Sequence, residues 1–498
     1  MAGLPVADKF TTTKMKQVPL SRKLTIGISY LLSSAIVTVA LNVILVGFVA
    51  RALGVENFGL YSAIISFVGL FQFLSDFGLN RTLLKFGSTS ISNAQFSFGN
   101  ALLLKTILII PTFILVAFFG YVAGYRNNQI LILGLFTLTM VLESYGIVFS
   151  SVRRILGDFK LVSFFRVVRA IINLVVIIIA LSMNNSVLYL AFAGVVLNFI
   201  IFIISLTNSI LLLRPKLKLE LMKDFVKDSV IFGLSDFFIS IYGKVSIVLL
   251  SFFSDLHSVG IFSAALKSTQ VANLFPNQVR TALLPTMYRI LENQKKTEDQ
   301  KRVFKIIFKY MAIFATPIVI SVFVFSDPII GLIFGKKYSL SIPLVKLFSL
   351  FIYFRFIQTP FNLFYIAMHK HKEMLYFRAI FSFLNVVFNF ALIPRYLAYG
   401  ACVSTILCEG LLLITLAILG TKQLIWNLKD VFFMALKPAI AGLISLSLVY
   451  GFLISKVNLF LQILFLLLIY FLFLFIVKTF SKDDKELFVK IFLKKDIL

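Results

Sequence analysis

The composition of this chain excludes a water-soluble globular protein. Of its 498 residues, 60% are hydrophobic and only 14% are charged, whereas soluble domains are nearer half apolar and a quarter charged. So little charge cannot cover a soluble surface, and most side chains must therefore face lipid or one another. The two cysteines, Cys402 and Cys408, are too few for a disulfide-based extracellular scaffold.

Long apolar runs predict an all-α integral membrane protein with about fourteen transmembrane helices. One span needs about 20 apolar residues, so fourteen would use about 280 positions. The N-terminal 25 residues are polar and basic. The apolar run after them is longer than the core of a signal peptide, so we interpret it as the first span. The predicted spans lie near 27–50, 58–79, 100–123, 129–150, 164–183, 187–208, 229–253, 258–280, 304–326, 341–366, 379–394, 399–420, 432–454 and 457–477.

The lysines and arginines that give the net charge of +27 are distributed along the chain as membrane topology predicts. With the N-terminus placed inside, the inner connections and terminal segments carry about 33 lysines and arginines, and the outer connections about six. Cytoplasmic loops are enriched in these residues, which predicts a cell (inner or plasma) membrane protein with both termini cytoplasmic. The basic loops are also expected to touch anionic membrane lipids, and no nucleic-acid partner is expected.

No catalytic or metal-binding motif is recognisable in the chain. The string closest to a nucleotide-binding loop, 331–337, is one residue short and lacks the terminal Ser or Thr. The three histidines lack zinc-ligand spacing, and no catalytic triad can be argued. We therefore predict a transporter rather than an enzyme, without a cofactor, and leave open a coupling H+ or Na+.

A short repeat predicts two related halves. Gly59–Ile64 reads GLYSAI and Gly260–Ala265 reads GIFSAA, an offset of 201 residues. Each begins the second helix of a predicted hairpin, so six helices separate the copies, as in a parallel repeat of two six-helix lobes. The predicted organisation is a cytoplasmic basic segment 1–25, an N-lobe 26–220, a C-lobe 221–425, and helices thirteen and fourteen with a basic cytoplasmic tail in 426–498.

Charged residues inside the spans are the candidate functional residues, because a charge at the bilayer centre costs about 2.5–3.5 kcal/mol. Lys244 and Lys267 lie twelve and eleven residues from Leu256, the centre of a predicted turn. Both are therefore about 17 Å down from that turn. Two cations at one depth repel each other unless an anion or water lies between them. We interpret them as lining a wet anion cavity; the alternative is pairing with Asp236 or another embedded acid.

Other embedded charges extend this set. The remaining anion-binding candidates are Arg355, Arg51 and Arg280. Basic residues near span ends are expected to snorkel to the headgroups; these are Lys105, Arg166, Arg169, Arg280, Lys437, Arg51 and Lys346. The candidates for ion coupling or charge pairing are Asp76, Glu143, Asp236 and Glu409. Glu409 either pairs with Arg355 or binds a coupling ion, and Asp76 either caps a helix or pairs with Arg81.

Two N-terminal stretches resemble polysaccharide-exporting flippases of the Wzx type. They are Val49–Tyr61, VARALGVENFGLY, and Ser75–Arg81, SDFGLNR. That family is the polysaccharide transporter branch of the multidrug/oligosaccharidyl-lipid/polysaccharide superfamily. The resemblance implies flipping of a polyprenyl-(di)phosphate-linked oligosaccharide to the outer leaflet, by alternating access around a cationic cavity, for cell-surface polysaccharide biosynthesis. It also implies polysaccharide polymerase or export machinery as partners.

Three other functions remain open. An ion-coupled multidrug or small-molecule exporter of the same superfamily would favour embedded acids, and the cation-rich second half argues against it. A membrane glycosyltransferase or polymerase needs a large outer loop, whereas the predicted outer loops are short. A scaffold role without transport is compatible with the sequence.

Overall fold

The computed structural model describes residues 20–218, 220, 222–292, 297–421, 426–452, 459–477 and 479. Within these ranges the protein is all-α, which confirms the predicted fold class. A 3-10 helix covers Lys336–Ser341. The α-helices are α1 (Leu20–Leu70), α2 (Gln72–Asp76), α3 (Leu79–Gly87), α4 (Ile91–Val122), α5 (Asn128–Ile155), α6 (Phe159–Met183), α7 (Val187–Leu212), α8 (Met222–Phe253), α9 (Leu256–Thr269), α10 (Leu274–Glu292), α11 (Thr297–Val324), α12 (Ser326–Ile333), α13 (Ile342–Ala367), α14 (His371–Thr421), α15 (Leu428–Phe452) and α16 (Leu459–Ile476).

The helices are long and apolar enough for repeated membrane crossing. Ten in the described part of the chain meet that condition, and α16 adds a shorter apolar helix. The fourteen predicted spans lie mainly on these helices, and positions 453–454 and 457–458 of the last two spans fall outside the described residues. The helices α1 and α14 each carry two predicted spans, which meet at a non-helical residue. The first pair meets at Gly54, with φ 75° and ψ 175°, a conformation that glycine adopts readily. The second pair meets at Leu397, with φ 51°. The chain is therefore a multi-pass membrane protein.

The two copies of the sequence repeat pack directly against each other. A Cβ atom on Gly59 of α1 would lie 1.9 Å from the carbonyl oxygen of Leu256. A Cβ atom on Gly260 of α9 would lie 2.2 Å from the carbonyl oxygen of Val55. The two contacts are related by the 201-residue offset, because Val55 corresponds to Leu256 and Gly59 to Gly260. This crossing supports the repeat, while the lobe boundaries at 220 and 425 stay a prediction.

The N- and C-terminal halves are also joined next to this crossing, at what we call the distal end, which carries Arg51 and Gly335. The Arg51 guanidinium donates hydrogen bonds to carbonyl oxygens at the C-terminus of α12, those of Gly331 (3.1 Å), Ile333 (3.1 Å) and Leu332. Such carbonyls lack partners within their own helix, and a cation there is favourable. We call the other end, which carries Lys85 and Arg153, the basic end.

Candidate functional site

A polar cavity of about 470 Å³ lies within the N-terminal half, between α1, α5, α6 and α7. Helix α8 of the C-terminal half also reaches it. Most of the polar groups that line it are amides and hydroxyls, which both donate and accept hydrogen bonds. The polar lining residues are Thr38, Asn42, Tyr61, Gln72, Thr139, Glu143, Arg166, Arg169, Asn173, Asn198 and Lys244.

Lys244 is the residue that α8 contributes to this cavity. Its Nζ atom donates hydrogen bonds to the carbonyl oxygen of Gly69 (2.7 Å) and to Oε1 of Gln72 (3.1 Å). A Cβ atom on Gly69 would lie 2.3 Å from this Nζ, so the close approach depends on glycine. An ammonium has three donors, and these two bonds leave one for a ligand. Of the alternative partners of Lys244, Asp236 is wrong because it binds Arg81 instead, while another embedded acid, Glu143, lies within electrostatic range of Lys244.

Two arginines of α6 supply the other positive charges of the cavity. Arg169 donates hydrogen bonds to Oε1 of Glu143 (3.0 Å) and to Oδ1 of Asn198 (2.8 Å). Arg166 donates to the carbonyl oxygen of Leu31 at 3.3 Å. Polar groups of neighbouring helices hold both arginines, and their snorkelling to the headgroups stays a prediction. Three cations and the single carboxylate of Glu143 give the lining a net charge of +2.

The structure does not bring Lys267 into this cavity, whose lining includes Lys244 but not Lys267. Lys267 lies in the last turn of α9 and is half-buried. Its ammonium group makes no hydrogen bond or ion pair with another residue of the described ranges, while its carbonyl accepts a hydrogen bond from the Gln270 amide. Equal depth on consecutive helices therefore did not bring Lys267 into the lining of this cavity, because Lys244 points toward α1.

Arg355 and Glu409 form an ion pair inside the C-terminal half. Nη2 of Arg355 on α13 lies 2.6 Å from Oε1 of Glu409 on α14, whose side chain is 1% exposed. Nε2 of Gln358 donates a hydrogen bond to Oε2 of Glu409 at 2.7 Å. Of the two roles left open for Glu409, the structure thus shows charge pairing. The sequence analysis missed Gln358, although its position three residues after Arg355 places both on one face of α13.

A second group of cations surrounds this pair. Arg280 of α10 lies within electrostatic range of both Arg355 and Arg378. Arg378 of α14 donates a hydrogen bond to Oγ of Ser235 at 2.7 Å and lies within electrostatic range of Arg81. Arg378 was missed because it falls at the edge of a predicted loop. The arginines therefore extend from the interior of the C-terminal half toward the N-terminal half.

The remaining embedded charges form ion pairs near the basic end. Lys105 is fully buried and its Nζ lies 2.8 Å from Oδ1 of Asp76, so the prediction that Lys105 snorkels is wrong. A buried amine needs such a partner. Arg81 pairs with Asp236 at 2.5 Å and not with Asp76. Together with a second ion pair between Lys85 and Asp228, also at 2.5 Å, this pair joins α3 to α8.

Backbone packing reinforces the contact between α3 and α8. A Cβ atom on Gly78 would lie 2.4 Å from the carbonyl oxygen of Ser229. Oγ of Ser229 donates a hydrogen bond to Oγ1 of Thr82 at 3.0 Å. The two halves of the protein are thus in contact at the basic end as well as at the distal end. The predicted site residue Arg51 belongs to the distal contact and not to the cavity lining.

Comparisons with known proteins relate the chain to polysaccharide biosynthesis proteins. Residues 48–343 match the model of a family described as polysaccharide biosynthesis protein. Over 368 residues the chain is 24% identical to the capsular polysaccharide biosynthesis protein CapF of Staphylococcus aureus, covering 72% of this chain and 90% of CapF.

Two solved structures share the architecture at low sequence identity. The lipid II flippase MurJ in an inward closed conformation matches with a TM-score of 0.75 and 16% identity, over 89% of this chain and 97% of MurJ. A multidrug resistance MATE family transporter of the MOP superfamily, in its inward-facing conformation, matches with a TM-score of 0.63 and 13% identity, over 78% and 94% of the two chains. At such identities the likeness concerns the fold alone.

Proposed function

Since the chain belongs to the polysaccharide biosynthesis protein family, we propose that it flips a polyprenyl-(di)phosphate-linked oligosaccharide from the cytoplasmic to the outer leaflet of the cell membrane. The family resemblance inferred from Val49–Tyr61 and Ser75–Arg81 is confirmed by this membership. The carrier lipid, the direction of movement and the membrane are part of the proposal. In this proposal the basic end of the protein faces the cytoplasm, in keeping with the distribution of lysine and arginine. Both termini lie on that side.

The observation that carries the proposal is the polar cavity with its net charge of +2. A diphosphate linked to a lipid and to a sugar keeps about one negative charge on each phosphate, roughly two in all, which this lining balances. Charge-assisted hydrogen bonds from Lys244 and the two α6 arginines replace the water that the anion loses. The amides and hydroxyls of the lining suit sugar hydroxyls. The prenyl chain needs no polar path and stays in the lipid.

The contacts between the two halves support alternating access as part of the proposal. At the distal end they are joined by the crossing of Gly59 and Gly260, and at the basic end by the pairs Arg81–Asp236 and Lys85–Asp228. Opening one set of contacts at a time would expose the cavity to one leaflet. An inside-negative potential favours outward movement of an anion by about 2.3 kcal/mol per charge at 100 mV. A coupling H+ or Na+ and the polymerase or export machinery as partners remain predictions.

The proposal is tested by reconstituting the protein in vesicles that hold a polyprenyl-diphosphate oligosaccharide. A membrane-impermeant glycosidase reports the fraction of glycan that has crossed. Removal of a hydrogen-bonded charge costs about 1.5–3 kcal/mol, so Lys244→Ala is expected to slow flipping about 10- to 150-fold. Lys244→Arg keeps the charge and should retain part of the rate. The matched control is Lys437→Ala, at an exposed position on α15.

Three outcomes would contradict the proposal. Flipping by Lys244→Ala at the rate of the unmodified protein would remove the cavity from the mechanism. Export of a lipid-free cationic dye, lost in Glu143→Gln, would favour a multidrug exporter. Lengthening of the glycan by the purified protein would indicate a polymerase. The orientation is tested separately with impermeant thiol reagents. Leu397→Cys should react from outside, and Leu217→Cys, also at an exposed position, only after permeabilisation.

A further inference from the structure

A second pocket, of about 380 Å³, lies between α5, α6 and α7. Its walls are largely apolar, and four arginines converge on it while no carboxylate lines it. The aromatic and aliphatic lining residues are Ile147, Phe149, Val162, Phe165, Val168, Ile172, Ile201 and Ile204. The arginines are Arg153, Arg154, Arg166 and Arg169. We call this space the arginine pocket.

The positive charge of the arginine pocket is only partly neutralised. Arg169 is paired with Glu143 at 3.0 Å, and Arg153 lies 3.5 Å from Asp158. Arg154 and Arg166 have no carboxylate partner among the residues that the structure describes. Nε of Arg154 is buried without a hydrogen-bond partner, and the two guanidinium groups lie close enough to repel each other. Two such cations within apolar walls are unfavourable unless an anion joins them.

The four arginines also form a graded series in depth. Arg153 and Arg154 end α5 at the basic end. On α6, which begins at Phe159, Arg166 and Arg169 lie seven and ten residues further along, or about 10 and 15 Å at the helical rise. These last two arginines line both the arginine pocket and the polar cavity. The positive side chains therefore continue from the basic end into the cavity.

We infer that the arginine pocket binds the phosphate headgroup of a lipid drawn from the leaflet at the basic end. Guanidinium groups bind phosphate oxygens through paired, parallel hydrogen bonds. Phe165, Ile172 and Ile204 line the pocket and are 42–52% exposed, so a hydrocarbon chain can lie against them while its headgroup contacts the arginines. Arg153 stacks over the ring of Phe165 at 5.3 Å, which fixes its guanidinium beside that path.

The bound lipid is the polyprenyl-phosphate substrate itself, and this identification rests on the proposed function. The pocket shares two arginines with the polar cavity, so a headgroup held there needs no separate route to the central site. The pocket thus serves as a lateral binding site from which the substrate reaches the cavity. A resident anionic glycerophospholipid offers the same phosphate chemistry and is the competing source.

The test measures binding of a sugar-free polyprenyl diphosphate to the full chain in nanodiscs made of neutral lipid. Arg154→Gln is expected to weaken binding at least tenfold. Arg154→Lys keeps the charge but loses the planar guanidinium, and it is expected to have an intermediate effect. Arg126→Gln at the distal end is the matched control and should bind normally, because Arg126 contacts the nearby carbonyl oxygens of Tyr121 and Tyr125 and the Tyr121 ring. A thermal unfolding curve for each variant separates lost binding from lost folding.

Normal binding by folded Arg154→Gln and Arg166→Gln would overturn the inference. Equal binding of phosphatidylglycerol, with full competition against the polyprenyl diphosphate, would overturn its assignment to the substrate. The proposed function fails in a different way, because Lys244→Ala tests flipping through the polar cavity, whereas Arg154 lines the arginine pocket and not the polar cavity. Binding without any flipping by the unmodified protein would therefore contradict the proposed function and leave the inferred headgroup binding by the arginine pocket unaffected.

Discussion

The crossing of α1 and α9 at the distal end gives the sharpest test of alternating access. Gly59→Ala adds a Cβ atom where the carbonyl oxygen of Leu256 lies 1.9 Å away. The obstructing atom belongs to the backbone, so no side-chain rotation relieves the clash. Since the shortest contacts of real Cβ atoms are near 3.0 Å, the two helices must separate by about 1 Å.

This separation destabilises the state in which the distal end is closed. Overpacking of a tight contact costs about 1–3 kcal/mol, which increases the population of the open distal end about 5- to 150-fold. Gly134→Ala on α5 is the matched control, because its Cβ atom would meet nothing within 4 Å. In a helix interior with open space at this position, that change is neutral or stabilises by about 0.5–1 kcal/mol.

The assay is the accessibility of a reporter cysteine at Thr139, which lines the polar cavity, in a background without Cys402 and Cys408. An impermeant thiol reagent is added from the distal side. Gly59→Ala should raise the labelling rate by the factor given above, and Gly260→Ala, at the corresponding position, should do the same. Unchanged labelling in both variants, with normal flipping, would refute the idea that this crossing seals the distal end.

Three further outcomes are expected. Arg81→Asp alone should loosen the basic end and increase labelling from that side, whereas Arg81→Asp with Asp236→Arg should restore the closed state; failure of the swap to restore it would contradict a direct role for the pair. Arg355→Ala leaves the buried Glu409 carboxylate unpaired and should destabilise the protein by about 3–5 kcal/mol, measured by thermal unfolding, with Glu409→Gln recovering part of the loss. Asp255 caps α9 by accepting a hydrogen bond from the Ser258 amide (3.0 Å), and its bonds with Ser258 lower the pKa of the carboxyl. Asp255→Ala should therefore cost about 1 kcal/mol at neutral pH, a difference that persists above the ordinary pKa of aspartate and disappears as the pH falls through the lowered value; an equal difference in acid would contradict the assignment.

The helices could be predicted from the sequence because hydrophobic runs of span length have few other uses. The repeat around Gly59 and Gly260 could also be recognised in the sequence. Where two helix backbones cross closely, each needs a small residue, so the two copies carry glycine at corresponding positions. The turns were less well defined. The predicted span 258–280 is divided between α9 and α10, since hydropathy reports the length of an apolar run and not where the helix is interrupted.

The partners of the embedded charges were harder to predict, because depth in a span is encoded by residue number but direction around the helix depends on the packing of other helices. Lys105 and Asp76 are 29 residues apart and on different helices, so their ion pair leaves no local pattern. Arg166 and Arg169 did leave one. Their i,i+3 spacing places them on one face of α6, and Asn173, four residues later, also lines the polar cavity.

The placement of charge in the two halves bears on how an anion would be carried. The N-terminal half holds a polar cavity with net charge +2, and Lys244 of the C-terminal half completes it. The arginines of the C-terminal half are instead balanced in part by Glu409. Rotation of one half against the other would draw Lys244 away from Gly69 and Gln72 and remove one of the three cations. Affinity for the anion would then fall as the halves separate, which is the differential binding that release into the second leaflet requires.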